Sequence, residues 1–347
     1  CFLTAEIMKK IYVLCGLLYV ISFCGMAQDF HYSQFYSAPL YLNPALTGST
    51  ELSRMGLNYR KQWPGLPQDF TAYSAYFDHY SFDLNSGFGL AINSFQESNM
   101  NIKTSDASFL YAYTLRLAET WNFRFGGQAS VVQRNAGLDH LIFGDQVDLF
   151  SRSISPGTLD LVPDFDPYTY LDLGFGALLH NEYFWLGAAA QHINKPRLSF
   201  YPDDWKDYLP VKWGFHGGWN FPLGANGYGG SDFDNHAAIL LSYKRQGPFQ
   251  QIDVGSQWVY KSLVTGVSFR GIPGLRNMPN RDSFIFLLGL RLDNGMVMGY
   301  SYDFMISKIG LQTKGAHEIS LRYQFLMGDP RYRNRKSTIL KCFQYLL

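Results

Sequence analysis

The chain of 347 residues is poor in cysteine, in charge and in long apolar runs, and each shortage excludes something. Of its four cysteines, Cys1, Cys15 and Cys24 precede residue 28 and only Cys342 follows. Beyond that point no internal disulfide and no cysteine metal site can form. Charged residues make up 16% of the chain, against about 25% in ordinary soluble domains. After residue 27 no apolar run approaches the roughly 18 residues of a spanning helix. Metal and nucleophile signals are equally thin. The eight histidines, His31, His79, His140, His180, His192, His216, His236 and His317, include no pair at metal-ligand spacing and read as turn or interface histidines. No G-x-S-x-G elbow occurs. The glycines of "LGANGYGGSDFDN" lack a following Lys-Ser/Thr, so they read as a flexible turn. Asp232, Asp234 and Asn235 have the opening spacing of a calcium loop without its central glycine and closing glutamate. Asp78 beside His79 and Asp139 beside His140 have no nucleophile placed with them. No catalytic, cofactor-binding or metal residue is assigned, and no cofactor is expected.

One apolar run is present, at the start. Met8, Lys9 and Lys10 open Ile11 to Phe23, which ends in Gly25-Met26-Ala27, the small residues a signal peptidase reads. Cleavage before Gln28 is expected, with residues 1–7 upstream of the start. A lipoprotein signal at Cys24 competes poorly, because Phe23 is too large for the preceding position. Removing Glu6, Lys9 and Lys10 leaves 27 basic and 27 acidic residues, of which Arg331, Arg333, Arg335, Lys336 and Lys341 lie near the end. Residues 28–328 therefore carry a net charge of −4, a poor surface for nucleic acid.

Aromatic residues are abundant at 17%, with 33 glycines. That combination suits sheets that face lipid on one side and water on the other. "HEISLRYQF" puts Ile319, Leu321, Tyr323 and Phe325 on one face, and Glu318, Ser320, Arg322 and Gln324 on the other. "QIDVGSQWVYK" and "NGMVMGYSYDF" alternate in the same way, and "SFLYAYTLRL" does so except at Leu110. The other face is often Gly, Ala, Ser or a charge, whereas a soluble sandwich would place large residues there. Fourteen such segments are found: Leu52 to Arg60, Phe70 to Asp78, Gly87 to Gln96, Asp106 to Leu117, Trp121 to Gln133, Thr169 to Leu179, Glu182 to His192, Val211 to Phe221, His236 to Lys244, Phe249 to Val259, Leu263 to Arg270, Arg281 to Leu292, Met296 to Phe304 and Gly315 to Phe325. An even number of strands of bilayer-crossing length predicts an all-β, transmembrane antiparallel outer-membrane barrel of about fourteen strands. Short turns then fall on one side and the longest connections, Arg134 to Tyr168 and Ile193 to Pro210, on the other, as periplasmic turns and outer loops do. Two connections depart: Pro222 to Asn235 is long where it should be short, and Arg245 to Pro248 short where it should be long.

Ahead of the first strand runs "QFYSAPLYLNPALTG", apolar yet without a period. Pro39 and Pro44 prevent a helix or central strand from running through it. Held by these prolines and the Asn43-Pro44 turn, Phe35, Tyr36, Leu40, Tyr41 and Leu42 can be buried only against the lower lumen or a partner. The expected division is residues 1–27 upstream and leader, removed; 28–51 a plug or partner-docking segment; 52–325 the barrel; and 326–347 a basic tail. In the outer loops, "PDFDPYTY" and "RLSFYPDDWKDYLP" combine acidic and aromatic residues as recognition surfaces do. Phe165, Tyr168, Phe200, Tyr201 and Trp205 are the candidates there for contact with an exported protein; the alternative is that they fold inward or form the outer aromatic girdle.

"SQFYSAPLYLNPALTG", "YRKQWPGLP", "YSAYFDH", "SGFGLAINSF", "YLDLGFGALLHNEYFWLGAAAQHINKP", "SYKRQGPFQQIDVGSQWVYKSLVTGVSFRG" and "IGLQTKGAHEISLRYQF" together resemble the PorP/SprF family of Bacteroidota. These are outer-membrane proteins of the type IX secretion system and gliding machinery. The resemblance implies a non-enzymatic barrel that supports export or surface anchoring of proteins with a C-terminal sorting domain. Its partners would be periplasmic and outer-membrane parts of that apparatus, the exported proteins and outer-membrane lipid. The chain departs from the pattern in continuing 22 residues past Phe325. A general diffusion porin or small-solute channel is the alternative, expected to show an open lumen with clustered charge. A lipid-acting barrel enzyme is a third.

Overall fold

The computed structural model describes residues 29–99, 101–137, 142, 144–148, 153–155, 166–198, 208–223, 235–272, 281–308 and 310–327. Fourteen of its strands form a closed antiparallel barrel. In chain order these are β1 (Ser53–Gln62), β2 (Phe70–Ser81), β3 (Ser86–Glu97), β4 (Ile102–Arg116), β5 (Asn122–Asn135), β8 (Tyr168–His180), β9 (Phe184–Gln191), β10 (Lys212–Pro222), β11 (Asn235–Gln246), β12 (Phe249–Tyr260), β13 (Leu263–Gly271), β14 (Arg281–Arg291), β15 (Met296–Met305) and β16 (Ala316–Phe325). The two-residue strands β6 (Val147–Asp148) and β7 (Ser153–Ile154) pair only with each other, within the long connection after β5. Each barrel strand pairs with its sequence neighbours, and β1 closes on β16 from Ser53↔Phe325 to Gln62↔Ala316. Closure leaves no edge, the condition under which strands can cross a bilayer with every backbone group paired. Every expected segment coincides with one of these strands, with ends displaced by at most four residues.

Alternation decides which face each residue takes. Leu57, Tyr73, Leu90, Ile92, Phe109, Leu171, Trp219, Phe286 and Ile319 are large, apolar and exposed, as a lipid-facing wall requires. The residues between them point inward and are buried, including Arg54, Asn58, Arg60, Asp78, Arg124, Asp253, Arg270, Asp303, Glu318 and Arg322. At one end the connections are short: residues 82–85, 117–121, 181–183, 261–262 and 292–295. The other end carries residues 136–167 and 192–211 and, by the rule for outer-membrane barrels, faces outward. The two irregular connections persist: 223–234 is long at the short-turn end, and Gly247-Pro248 is a two-residue link at the outer end.

Candidate functional site in the lumen

From Asp29 to Thr50 the chain lies inside the barrel and is buried along nearly its whole length. Asp29 contacts residues at the outer ends of β10 and β11, whereas Gly48 contacts Asp78 near the inner end of β2. The segment therefore traverses the lumen from the outer mouth to the inner rim, where β1 begins. It contains a one-turn helix, α1 (Pro39–Leu42), and a 3₁₀ turn, Pro44–Leu46. Pro39 and Pro44 each take the first position, where the missing donor costs no intrahelical bond. The prolines thus start short helical turns and still prevent a longer helix. Asn43 joins the two turns: its Oδ1 accepts from Ala45 N at 2.9 Å, so its amide nitrogen faces Ala177 O at 3.1 Å and Ala188 O at 3.2 Å.

A segment with so little secondary structure needs other partners for its backbone groups. Buried charges on the wall supply them. Near the outer side Arg60 pairs with Asp303 at 2.9 Å and Glu318 at 3.3 Å, and Arg270 bridges Asp253 at 2.8 Å and Asp303 at 2.9 Å. Glu318 accepts from Ser33 N at 2.7 Å and Gln34 N at 3.0 Å, while Ser33 Oγ donates to Asp303 at 2.7 Å. Near the inner rim Arg54 pairs with Asp78 at 2.8 Å. Asp78 also accepts from Gly48 N at 2.6 Å, and Arg54 donates to Leu46 O at 3.3 Å. Arg124 donates to Ala45 O at 2.9 Å and to Thr47 O. Each buried ion is therefore paired or hydrogen-bonded, the condition for tolerating it away from water.

Close approach is allowed by inward glycines. A Cβ at Gly126 would lie 2.6 Å from the backbone of Pro44. One at Gly176 would meet the Asn43 side chain, one at Gly87 the Thr47 carbonyl, and one at Gly89 Leu40 Cδ1 at 3.1 Å. These glycines, from β3, β5 and β8, form a seat for residues 40–48. Apolar side chains complete it. Leu40 clusters with Tyr76, Ala91 and Leu110, and Phe35, Tyr36, Ala45 and Leu46 with Leu178, Trp185, Leu240 and Val264. Leu110, the residue that breaks the alternation of β4, faces inward because it meets Leu40.

At the outer mouth Asp29 is held by Lys212 at 3.2 Å and His192 at 2.7 Å, with its backbone N donating to Gln246 at 2.9 Å. His192 Nδ1 lies 2.9 Å from Asp172 Oδ1, an ion-pair contact. Burial by itself would lower the His192 pKa, but the Asp29 charge and the close contacts with both carboxylates raise it to about 9. Burial would raise the Asp29 carboxyl, and His192 and Lys212 outweigh it, bringing it well below the usual range.

Of the residues singled out in the sequence, Tyr36, Pro39, Leu40, Asn43 and Pro44 are buried on the seat, and Tyr41 and Leu42 are half-buried. Tyr168 opens β8 at the mouth, stacked on Tyr170. Phe165, Phe200, Tyr201 and Trp205 lie outside the described residues, as do Asp139, His140, Asp232, Asp234 and the tail from residue 328. Asp78 is engaged with Arg54 at 2.8 Å, and His79 Nδ1 lies 2.9 Å from the buried Ser53 Oγ. Among the described residues no three metal-ligating side chains come together. The seat glycines and lumenal arginines carry only faint signals in the sequence: glycines at inward positions, and the apolar Leu110 on a polar face.

The family model for type IX secretion system membrane protein PorP/SprF matches residues 25–323. The chain belongs to this family. PorP/SprF membership and the barrel place it in the outer membrane, as a secretion component of membrane-barrel type. No curated protein matches it. Similar solved structures include the P. putida toluene transporter TodX, at TM-score 0.48 and 10% identity, covering 88% of this chain and 97% of that one. A Pseudomonas aeruginosa FadL homologue gives 0.43 and 11%, covering 82% and 93%. Omp33 of Acinetobacter baumannii gives 0.40 and 8%, covering 81% and 100%. At these scores the likeness adds nothing to the strand pairing itself.

Proposed function

We propose that this PorP/SprF barrel supports export or surface anchoring of proteins with a C-terminal sorting domain, acting as a filled scaffold instead of an open pore. The observation that carries the reading is the seated segment. Buried charges that would line a diffusion channel are here engaged with one another and with Ser33, Gln34, Ala45, Thr47 and Gly48. Its leader is removed before Gln28, and its partners are periplasmic and outer-membrane parts of the secretion apparatus. Outside, the aromatic residues Phe165, Tyr168, Phe200, Tyr201 and Trp205 contact the exported protein.

The test separates insertion from export. Leu40→Asp places a charge in the Leu110 cluster, where loss of a buried leucine alone costs about 2–5 kcal/mol. Strand pairing around the circumference is untouched, so the variant is expected to insert as a heat-modifiable barrel and to lose surface display of its exported partner. Normal display would make the segment a passive lead-in to β1, and failure to insert would make it a folding element. Alanine at the five loop aromatics should reduce display with the barrel intact. In planar bilayers, large steady conductance from the wild type would favour the porin reading instead.

A further inference from the structure

Above the seat, at the outer mouth, the lumen opens into a cavity of about 500 Å³. Phe30, Tyr41, Phe95, Asn93, Asp106 and Gln128 are among its lining residues. Asn93 pairs directly across from Asp106, which faces Val132 on β5, so these inward side chains share one level of the wall. Asp106 Oδ2 accepts from Asn93 Nδ2 at 2.9 Å and Ser108 Oγ at 2.9 Å. A carboxylate only accepts, so the Asn93 amide must turn its nitrogen to Asp106 and leave Oδ1 facing away. That Oδ1 has no donor, although Asn93 is only 3% exposed. Gln128 repeats the arrangement: its nitrogen serves Ser108 at 3.2 Å and Ser130 at 2.9 Å, and its buried Oε1 receives nothing.

Two buried amide oxygens therefore lack donors, in one network on the cavity wall with the Asp106 carboxylate, whose hydrogen bonds both come from neutral groups. Leaving such atoms buried and unpaired carries the full desolvation penalty of each. Among the described residues no cation lies within the 4 Å ion-pairing range of Asp106, whereas Asp29 and Asp172 are matched by Lys212 and His192. The cavity's arginine, Arg134, pairs with Thr104, one inward row nearer the mouth. On the same wall, one inward row from Asn93, Phe95 stacks on Phe30 of the lumenal segment with centroids 5.3 Å apart, and Tyr41 lies 5.7 Å from the Phe95 ring. An aliphatic stem fits against these rings, and an ammonium supplies the donors the neighbouring acceptors need.

We propose that this cavity binds an organic cation on an aliphatic stem, a lysine-type ammonium, with Asp106 as counter-ion and Asn93 Oδ1 and Gln128 Oε1 as further acceptors. The site is independent of the export reading. A fluorescein-labelled Gly-Lys-Lys-Gly peptide, titrated against the purified full barrel and followed by anisotropy, is expected to bind at least tenfold tighter than its norleucine counterpart. Asp106→Asn, which keeps the size of the side chain, should lower affinity for the lysine peptide at least tenfold while heat-modifiable mobility stays unchanged. Equal binding of lysine and norleucine peptides by the wild type overturns the proposal whatever the variant does. A correctly folded Asp106→Asn barrel with undiminished affinity also overturns it. Competition by spermidine assigns the site to free polyamines, and failure to compete assigns it to a basic side chain on a polypeptide.

Discussion

Placing a single methyl group at Gly126 should loosen the seated segment without opening the barrel. Gly126 lies mid-strand, paired with Ala112 and Gly176, in a backbone conformation open to any residue. The obstruction is steric. The added Cβ would stand 2.6 Å from Pro44 C and O and 2.7 Å from Ala45 N, which are backbone atoms with no rotamer to turn away. Ordinary contact needs almost 1 Å more, so the Asn43–Thr47 turn must lift as a unit. Its bonds to Arg124 and the Asn43 contacts with β8 and β9 lengthen with it. Overpacking of this kind costs about 1–3 kcal/mol, which shifts the ratio of seated to displaced segment by roughly 5- to 140-fold. Gly126→Leu should shift it further. Cleavage of the segment by a protease added to purified barrels, compared with heat-modifiable mobility, measures both halves of the claim. Rapid cleavage with unchanged mobility is expected. Full protection of Gly126→Leu would refute the seat, and lost mobility would show that the wall and segment stand or fall together.

Arg54→Met leaves Asp78 buried without its cation and should destabilise the barrel by about 3–5 kcal/mol, read as a lower temperature for the heat-modifiable shift. Adding Asp78→Asn should recover part of that loss, because the stranded charge is then removed. The outer-mouth tether should depend on pH. The His192 pKa is raised to about 9, so its contribution is complete below the unfolded value of about 6.5 and disappears as pH rises through 9. Asp29, whose pKa is lowered, contributes above its unfolded value, near 3.8, and fails only as pH falls through its lower folded value. A spin label at residue 31 should therefore gain mobility between pH 7 and 10, and His192→Gln should abolish that change.

The wall was legible because a period of two with apolar residues on one face survives without any knowledge of partners: Ile319, Leu321 and Tyr323 face lipid wherever the neighbouring strands fall. The lumenal arrangement was not, because it depends on contacts across large separations in the chain. Ser33 meets Glu318, and Asn43 meets Ala177. Sequence gives no distance between such residues, and a glycine at an inward position looks the same whether it faces water or the carbonyl of Pro44. Leu110 was the local hint, an apolar residue on a polar face that only a second apolar layer could explain. The odd connections after β10 and β11 carried over from sequence to structure because their lengths follow directly from the strand ends. What Phe165, Phe200, Tyr201 and Trp205 touch depends on loop geometry that alternation does not reach.

The path of the N-terminal segment constrains assembly order. Asp29 lies at the outer mouth and Ser53 at the inner rim, and the segment between them bonds to β1 through Asn58 and to the closing strands through Ser301, Glu318 and Ser320. A closed tube can gain such a filling only if its free end is drawn through the bore; otherwise the wall must close around a segment already in place. In the second route the segment acts as a mandrel, touching both sides of the seam before they meet. A folded domain fused ahead of Asp29 is far too wide to follow through a packed lumen. Whether such a fusion still yields a seated segment thus reports which event comes first, the threading or the closure of β1 on β16.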